Sequence, residues 1–245
     1  MTEPARLAHR VADLARCSRE EAEQYIRNGW VRVDGEVVEA PQHMVTDESV
    51  ELDPQARLDP VEPATILLHK PEGFDAIDGP NPASALVRAD TRWPDDPSGL
   101  RVLDRHFKRL TPLVPLDASA SGLLVLSQDG RVWRRLTEDA DRIEQEYIVE
   151  IRGEMGPYGM AQLKQGPGHA RPGLPPCKVS WQNETRLRFA IKGAQPGMLR
   201  EMCLATGVEV VSIRRLRIGK VAIGKGPAGA MPPGMWRYLP TGEGF

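Results

Sequence analysis

The sequence predicts an α+β protein in two parts: a small helix–helix–hairpin module over residues 1–52 and a larger domain over 64–245 built on a mainly antiparallel sheet. Three observations predict this. Apolar residues recur at helical spacing near the start, and they alternate in strand fashion through the later part of the chain. Between the two lies Asp53 to Pro63 (DPQARLDPVEP), charged and proline-rich, which reads as a linker. The length, 245 residues, suits one mid-sized domain plus a satellite.

In the first part, Leu7, Val11 and Leu14 stand at helical spacing. Ser18 and Glu21 then form a capping box that opens a second helix, with Ala22, Tyr25 and Ile26 as its apolar stripe and Gly29 as its end. Trp30 to Val33 reads as a strand, Asp34-Gly35 as a hairpin turn and Glu36 to Val38 as the return strand. In the second part, Thr65 to Leu68 runs into the turn Lys70-Pro71-Glu72-Gly73, and Gly122 to Ser127 stops at Asp129-Gly130, read as a turn. Tyr147, Val149 and Ile151 alternate, as do Leu187, Phe189 and Ile191, the pattern of half-buried strands. Helices are expected near Met160 to Lys164 and Met198 to Ala205, and late strands over Val208 to Leu216 and Lys220 to Ile223. Asp90 to Gly99 reads as an exposed loop, with Trp93 available to stack on a base.

Composition excludes several classes. Hydrophobic residues make up 40% and charged residues 27%, a globular balance. Met1 to Arg10 has no apolar run, and no stretch approaches the roughly 18 apolar residues of a membrane span, so a cytoplasmic protein without membrane contact is expected. The three cysteines, Cys17, Cys177 and Cys203, have no paired spacing and read as idle thiols; the five histidines are scattered, so no metal site is expected. The net charge of -2 argues weakly against nucleic acid, but its distribution matters more. From Arg200 to Lys225 six basic residues face only Glu201 and Glu209, a candidate RNA-facing patch, whereas the first fifty residues lean acidic.

Asp117 lies in LVPLDASASGLLVLSQDG, between a proline turn and an apolar strand. Pattern alone leaves two readings open: a turn or capping residue, or a carboxylate held at a cleft edge by a rigid strand. The surrounding wording adds more. Val114-Pro115-Leu116-Asp117 followed by Gly122-Leu123-Leu124 resembles the Gly-Arg-Leu-Asp…Gly-Leu-Leu segment of the RsuA-type bacterial RNA pseudouridine synthases, and the chain looks closest to their RluF branch. Lys70-Pro71-Glu72-Gly73 resembles the family's Lys-Pro-x-Gly turn, Gln145-Glu146-Tyr147 its Lys-x-Tyr strand, and Arg215-Leu216-Arg217-Ile218-Gly219 its C-terminal element. The N-terminal module, with Cys17-Ser18-Arg19-Glu20-Glu21-Ala22 and Gly29-x-Val31-x-Val33-Asp34-Gly35, resembles the alpha-L RNA-binding fold of a small-subunit ribosomal protein.

The resemblance implies a cofactor-independent isomerisation of a flipped-out uridine, with Asp117 as nucleophile. It implies that Tyr147 stacks on the uracil and helps remove the carbon 5 proton, that Leu199 packs on the flipped base, and that Arg200 pairs with Asp117 to keep it ionised. Without the family, Tyr147 reads equally as a core aromatic and Arg200 as a solvated helix residue. Arg215 and Arg217 alternate on a strand and should share one face, suited to phosphate or merely to solvent. Lys70 shapes the pocket floor or lies on the surface, and Arg19 is a candidate RNA contact of the small module. The implied partner is ribosomal RNA, most directly a large-subunit stem-loop, with a tRNA anticodon arm as the other target; a monomer is expected.

The departures are as informative as the matches. Where the family has glycine and arginine before Leu-Asp, this chain has Val114 and Pro115; where it has the lysine of Lys-x-Tyr, this chain has Gln145. Asn-Arg-Gln has become Pro196-Gly197-Met198, and the arginine after Arg200 has become Glu201. The lost groups are mainly RNA-holding cations, and each lost phosphate contact weakens binding and flattens its salt dependence. Three readings follow: an active enzyme with an altered RNA grip or target, an RNA- or ribosome-binding relative with decayed catalysis, and a small-molecule isomerase or hydrolase using Asp117.

Overall fold

The computed structural model describes residues 4–166, 176–226 and 229–245. They fall into two units: one holds the residues up to Pro63 together with Arg101–Lys108, the other Ala64–Leu100 and Arg109–Phe245.

The first unit opens with helix α1 (Leu7–Ala15), which buries Leu7, Ala8 and Val11 and ends where Arg16 turns left-handed (φ 51°). Leu14, the third residue of the predicted stripe, faces solvent instead. Helix α2 (Arg19–Arg27) starts on the predicted capping box: the Glu21 amide donates to Ser18 Oγ at 3.2 Å and the Ser18 amide to Glu21 Oε2 at 2.7 Å. The Ser18 amide foremost, then the Ser18 side chain, holds the Glu21 carboxyl below its ordinary pKa. Strands β1 (Val31–Val33) and β2 (Glu36–Val37) form the hairpin, and both central turn residues, Asp34 (φ 50°) and Gly35 (φ 86°), take the positive φ that a tight hairpin turn demands. Strand β3 (Val50–Leu52) pairs with the other edge of β1. Ala8, Val11, Ala22, Ile26, Val31 and Val45 are among the residues closing the core.

The segment Arg101–Lys108, which lies far along the chain, completes this unit. Gly29 at φ 69° leaves a hollow that Leu103 fills; a Cβ there would stand 2.4 Å from Leu103 Cδ2. Glu39 accepts from the amides of Asp104 (2.7 Å) and Arg105 (3.2 Å), and Arg101 lies 4.2 Å over the Trp30 ring while pairing with Asp53 at 3.2 Å.

Beside a two-stranded ribbon of Lys225–Gly226 and Gly229–Ala230, the second unit is built on one large sheet. Its strands are β4 (Thr65–Lys70), β5 (Thr111–Leu113), β6 (Ala120–Ser127), β7 (Glu144–Arg152), β8 (Lys178–Trp181), β9 (Arg186–Lys192), β10 (Glu209–Ile218), β11 (Val221–Ala222) and β12 (Trp236–Tyr238). The order is β8-β9-β7-β10-β6-β4-β12, with β11 on β10 and β5 on β6. Among the described residues every strand pairing of this sheet is antiparallel except β10 with β6. That parallel pairing is tight: Gly122 (φ 113°) abuts the Arg215 backbone, and a Cβ would meet its carbonyl oxygen at 2.2 Å, so only glycine fits. One edge of β6 is therefore shared, by β10 along Ala120–Gly122 and by β5 along Val125–Ser127.

Among the described residues three α-helices flank the sheet. Helix α3 (Gly130–Glu138) starts where a turn was expected, because the Asp129 side chain caps it by accepting from the Arg131 amide at 2.8 Å. Helices α4 (Gly159–Lys164) and α5 (Met198–Leu204) sit within a residue or so of their predicted places. Trp93, read as exposed, is 5% exposed and packs in the core with Leu67, Leu123, Val125 and Ile223. No helix of the described residues is long and apolar enough to cross a membrane.

Burial in the first unit makes its stability sensitive to acid. His106 is buried, and desolvation foremost, then neighbouring Arg105, lowers its pKa from 6.5 to about 4. The unfolded chain takes up this proton near pH 6.5 while the folded one resists it, so the neutral imidazole's contribution is complete above pH 6.5 and is lost as pH falls toward 4. That loss should reach about 3 kcal/mol at pH 4. Denaturant titration at pH 7 and pH 4.5 should show His106→Gln losing distinctly less stability than wild type over this interval.

Candidate active site

Asp117 sits in the turn that feeds β6, where the Ala120 amide closes onto the Asp117 carbonyl at 3.0 Å. The backbone before it is strained. Val114 takes φ 50°, a left-handed conformation costly for a β-branched residue, on the order of 1–3 kcal/mol. This is the position where the resembling family carries glycine. The strain turns the Val114 carbonyl toward Arg215, whose Nη2 donates to it at 2.6 Å.

A narrow recess opens beside the carboxylate, lined by Pro115, Leu116, Asp117, Tyr147, Pro196 and Leu199 among others, with room for about one water. Asp117 is half-buried and its Oδ2 accepts from the Gly197 amide at 2.9 Å. Gly197 can offer that amide because it stands at φ 84° ahead of α5. Leu199, 4% exposed, and Tyr147, also 4% exposed, wall the recess. The Tyr147 hydroxyl donates to Gln145 Oε1 at 2.7 Å, and burial, outweighing the opposing pull of Arg215, pushes the phenol pKa up, so it stays protonated. The sequence thus brings Asp117, Tyr147 and Leu199 together in one recess.

Four expectations about cations need correction. Arg200 does not pair with Asp117: its guanidinium donates to the Val210 carbonyl (3.0 Å) and to Ser119 Oγ (3.2 Å), while the carboxylate is taken up by the Gly197 amide. Arg215 is not on an RNA-facing surface but fully buried. Its three hydrogen-bond acceptors are neutral oxygens, Leu123 O (2.8 Å), Gln145 Oε1 (3.1 Å) and Val114 O (2.6 Å), and desolvation lowers its pKa. Nor do Arg215 and Arg217 share a face. A bulge between them shifts the register against β7, so that Arg215 pairs across from Tyr147 and Arg217 from Glu146. Arg217 is spent on Glu144 (2.8 Å) and Glu146 (3.2 Å).

Lys70 is likewise fully buried, neither surface nor phosphate contact. Its Nζ donates to the carbonyls of Phe74 (2.7 Å), Pro71 (3.0 Å) and Ala118 (3.3 Å), tying the Lys-Pro-Glu-Gly turn to the residue after Asp117. Desolvation lowers its pKa to about 8, with Asp75 and Asp117 opposing. Arg19 does lie exposed on α2, in an i,i+4 pair with Glu23 at 3.2 Å. The thiols of Cys177 and Cys203 are free and buried, with pKa values pushed up by desolvation to about 11 and about 12, out of reach of nucleophilic chemistry.

Sequence reading missed Gln145 and the Gly197 amide as site groups. Gln145 registered only as a lost lysine; its oxygen accepts from both Tyr147 and Arg215. The Gly197 amide carries no sequence signal beyond glycine itself.

The chain belongs to the RNA pseudouridylate synthase family, which it matches over residues 64–195. Residues 6–50 match the S4 domain. Within the family the chain is of the RsuA type. It is 27% identical to an uncharacterized RNA pseudouridine synthase of Aquifex aeolicus over 92% of this chain and 89% of that one. It is 26% identical to the ribosomal large subunit pseudouridine synthase B of Bacillus subtilis (86% and 84% covered) and to the ribosomal small subunit pseudouridine synthase A of Salmonella typhimurium (97% of each). In fold it is similar to a crystal structure of a pseudouridylate synthase, at TM-score 0.59 and 21% identity over 96% of both chains. The protein is accordingly an RNA pseudouridine synthase, an isomerase.

The burial of Arg215 yields a prediction that separates a structural from an RNA-contacting role. Arg215→Met takes this donor from the Leu123 and Val114 carbonyls, leaves Gln145 Oε1 only the Tyr147 hydroxyl, and should cost about 3 kcal/mol of unfolding free energy. Arg215→Lys should recover little, since one ammonium cannot span the three acceptors. Thermal unfolding measures both.

Proposed function

We propose that this enzyme converts one uridine of large-subunit ribosomal RNA to pseudouridine with Asp117 as nucleophile, and that it belongs to the RluF branch of its family. The observation that carries the chemistry is the carboxylate of Asp117 at the mouth of a recess walled by Tyr147 and Leu199, held by the Gly197 amide. For the RNA, the relatives named for ribosomal substrates divide between the two subunits. A large-subunit stem-loop is our reading, with a tRNA anticodon arm as the second target.

In this scheme the uridine swings out of its stack into the recess, which must widen to admit a base. Asp117 attacks the base or the ribose and the bond from C1′ to N1 breaks. The uracil turns, C1′ bonds to C5, the proton on C5 leaves and N1 ends protonated. Reactant and product have the same atoms, so no co-reactant is consumed. The protonated Tyr147 ring lies against the base and Leu199 packs on its face. Arg200, through Ser119, steadies the turn that carries Asp117. Arg19 on the S4 module contacts the RNA backbone.

The alternative, an RNA-binding relative with decayed catalysis, draws on the replacement of family cations by Pro115, Gln145, Gly197 and Glu201. Turnover separates the two. Asp117→Asn should abolish pseudouridine formation in ribosomal RNA, by at least a thousandfold, while RNA affinity stays within about twofold. Wild-type protein that binds RNA without turnover would favour the decayed relative, and an active Asp117→Asn protein would rule out the nucleophile.

A further inference from the structure

The sheet has a second concavity, on the face opposite the recess. Successive strand residues point to opposite faces, so Glu146 and Ile148, flanking Tyr147 on β7, look away from Asp117. A cavity of about 740 Å³ lies over them. Three guanidiniums line it, Arg188, Arg214 and Arg217, against the single carboxylate of Glu146. Arg188 (2.6 Å) and Arg217 (3.2 Å) share that carboxylate. Arg214 is exposed and has no hydrogen-bond or ion-pair partner among the described residues.

Charge is half of the pattern. The floor is apolar, made by Ile148 and Leu216, and Ala222 stands at the rim as a small residue that leaves the space open. His69 forms part of the wall, 5% exposed. Its Nδ1 lies 2.7 Å from the Met231 carbonyl, which can only accept, so Nδ1 carries the ring hydrogen. Its Nε2 is then a bare lone pair, and no donor reaches it among the described residues. Buried acceptors are rarely left so. A simple anion would use the arginines but neither the flat apolar floor nor the acceptor, and it would fill little of the volume.

We propose that this cavity binds an unpaired nucleotide of the RNA, its phosphate on Arg214 and Arg188, its base on Ile148 and Leu216 with an N–H edge turned toward His69. The inference rests on RNA being the substrate. It makes the sheet a two-sided platform, with the target uridine on one face and a second nucleotide held on the other.

Adenosine hexanucleotide and AMP serve as probes, since neither contains uridine and neither can react at Asp117. Both should shift the His69 Nε2 resonance of ¹⁵N-labelled protein and compete with one another. Ala222→Trp, which fills the cavity, should abolish that shift. Arg214→Gln should weaken the hexanucleotide at least fivefold and lower the salt slope of binding by about 0.7, the loss of one single-strand phosphate contact. An unmoved His69 signal with both probes would overturn the site, and a response to AMP alone would overturn its assignment to RNA. Turnover of uridine-containing RNA by wild type is read separately. Its absence would sink the catalytic proposal and leave this one standing.

Discussion

The site depends on a geometric problem in β6 and on the guanidinium that solves it. A strand edge that pairs with β10 for its first residues and with β5 for its last has a seam between, where backbone carbonyls lose their ladder partners. Leu123 lies at that seam, and Arg215 donates to its carbonyl and to that of Val114, just beyond β5. A lysine has no fork that could reach both carbonyls. The third guanidinium nitrogen donates to Gln145 Oε1, which also accepts from the Tyr147 hydroxyl. The orientation of the tyrosine beside Asp117 is thus an outcome of how β6 changes partners.

Lys70 performs a similar service from the other side, drawing the Lys-Pro-Glu-Gly turn and the Asp117 turn to one ammonium. Lys70 and Arg215 are both fully buried, and Lys70 lies near enough to Asp117 to feel its charge without a direct ion pair. Desolvation, which lowers the pKa of Lys70 and Arg215, measures what holding cations there costs.

What the sequence made legible was local. The Ser18–Glu21 box, the Asp34-Gly35 turn and the α5 segment are set by residues three or four apart, and each lies where the pattern put it. Asp117, Tyr147 and Leu199 came together only through the family resemblance, since no spacing relates them. What stayed hidden was long-range. Nothing in Lys70-Pro71 announces that Ala118 will cap its ammonium. Strict alternation put Arg215 and Arg217 on one face, and a single bulge separated them. Asp129-Gly130 has the wording of a turn and the role of a helix cap, because both uses of aspartate exploit the same side-chain bond to a nearby amide. Trp93 sits among loop residues, yet its partners lie on β4, β6 and beyond.

The filling of the Gly29 hollow by Leu103 bears on how the chain is made. As the polypeptide leaves the ribosome, the residues up to Pro63 emerge with their own core but with that hollow open and Glu39 holding no amide. Residues 64–100, which belong to the other unit, must be synthesised before Leu103 and Arg101 arrive. The small module therefore reaches its final form only after part of the enzyme's sheet has been translated, and a fragment cut at the linker would stop one step short of it.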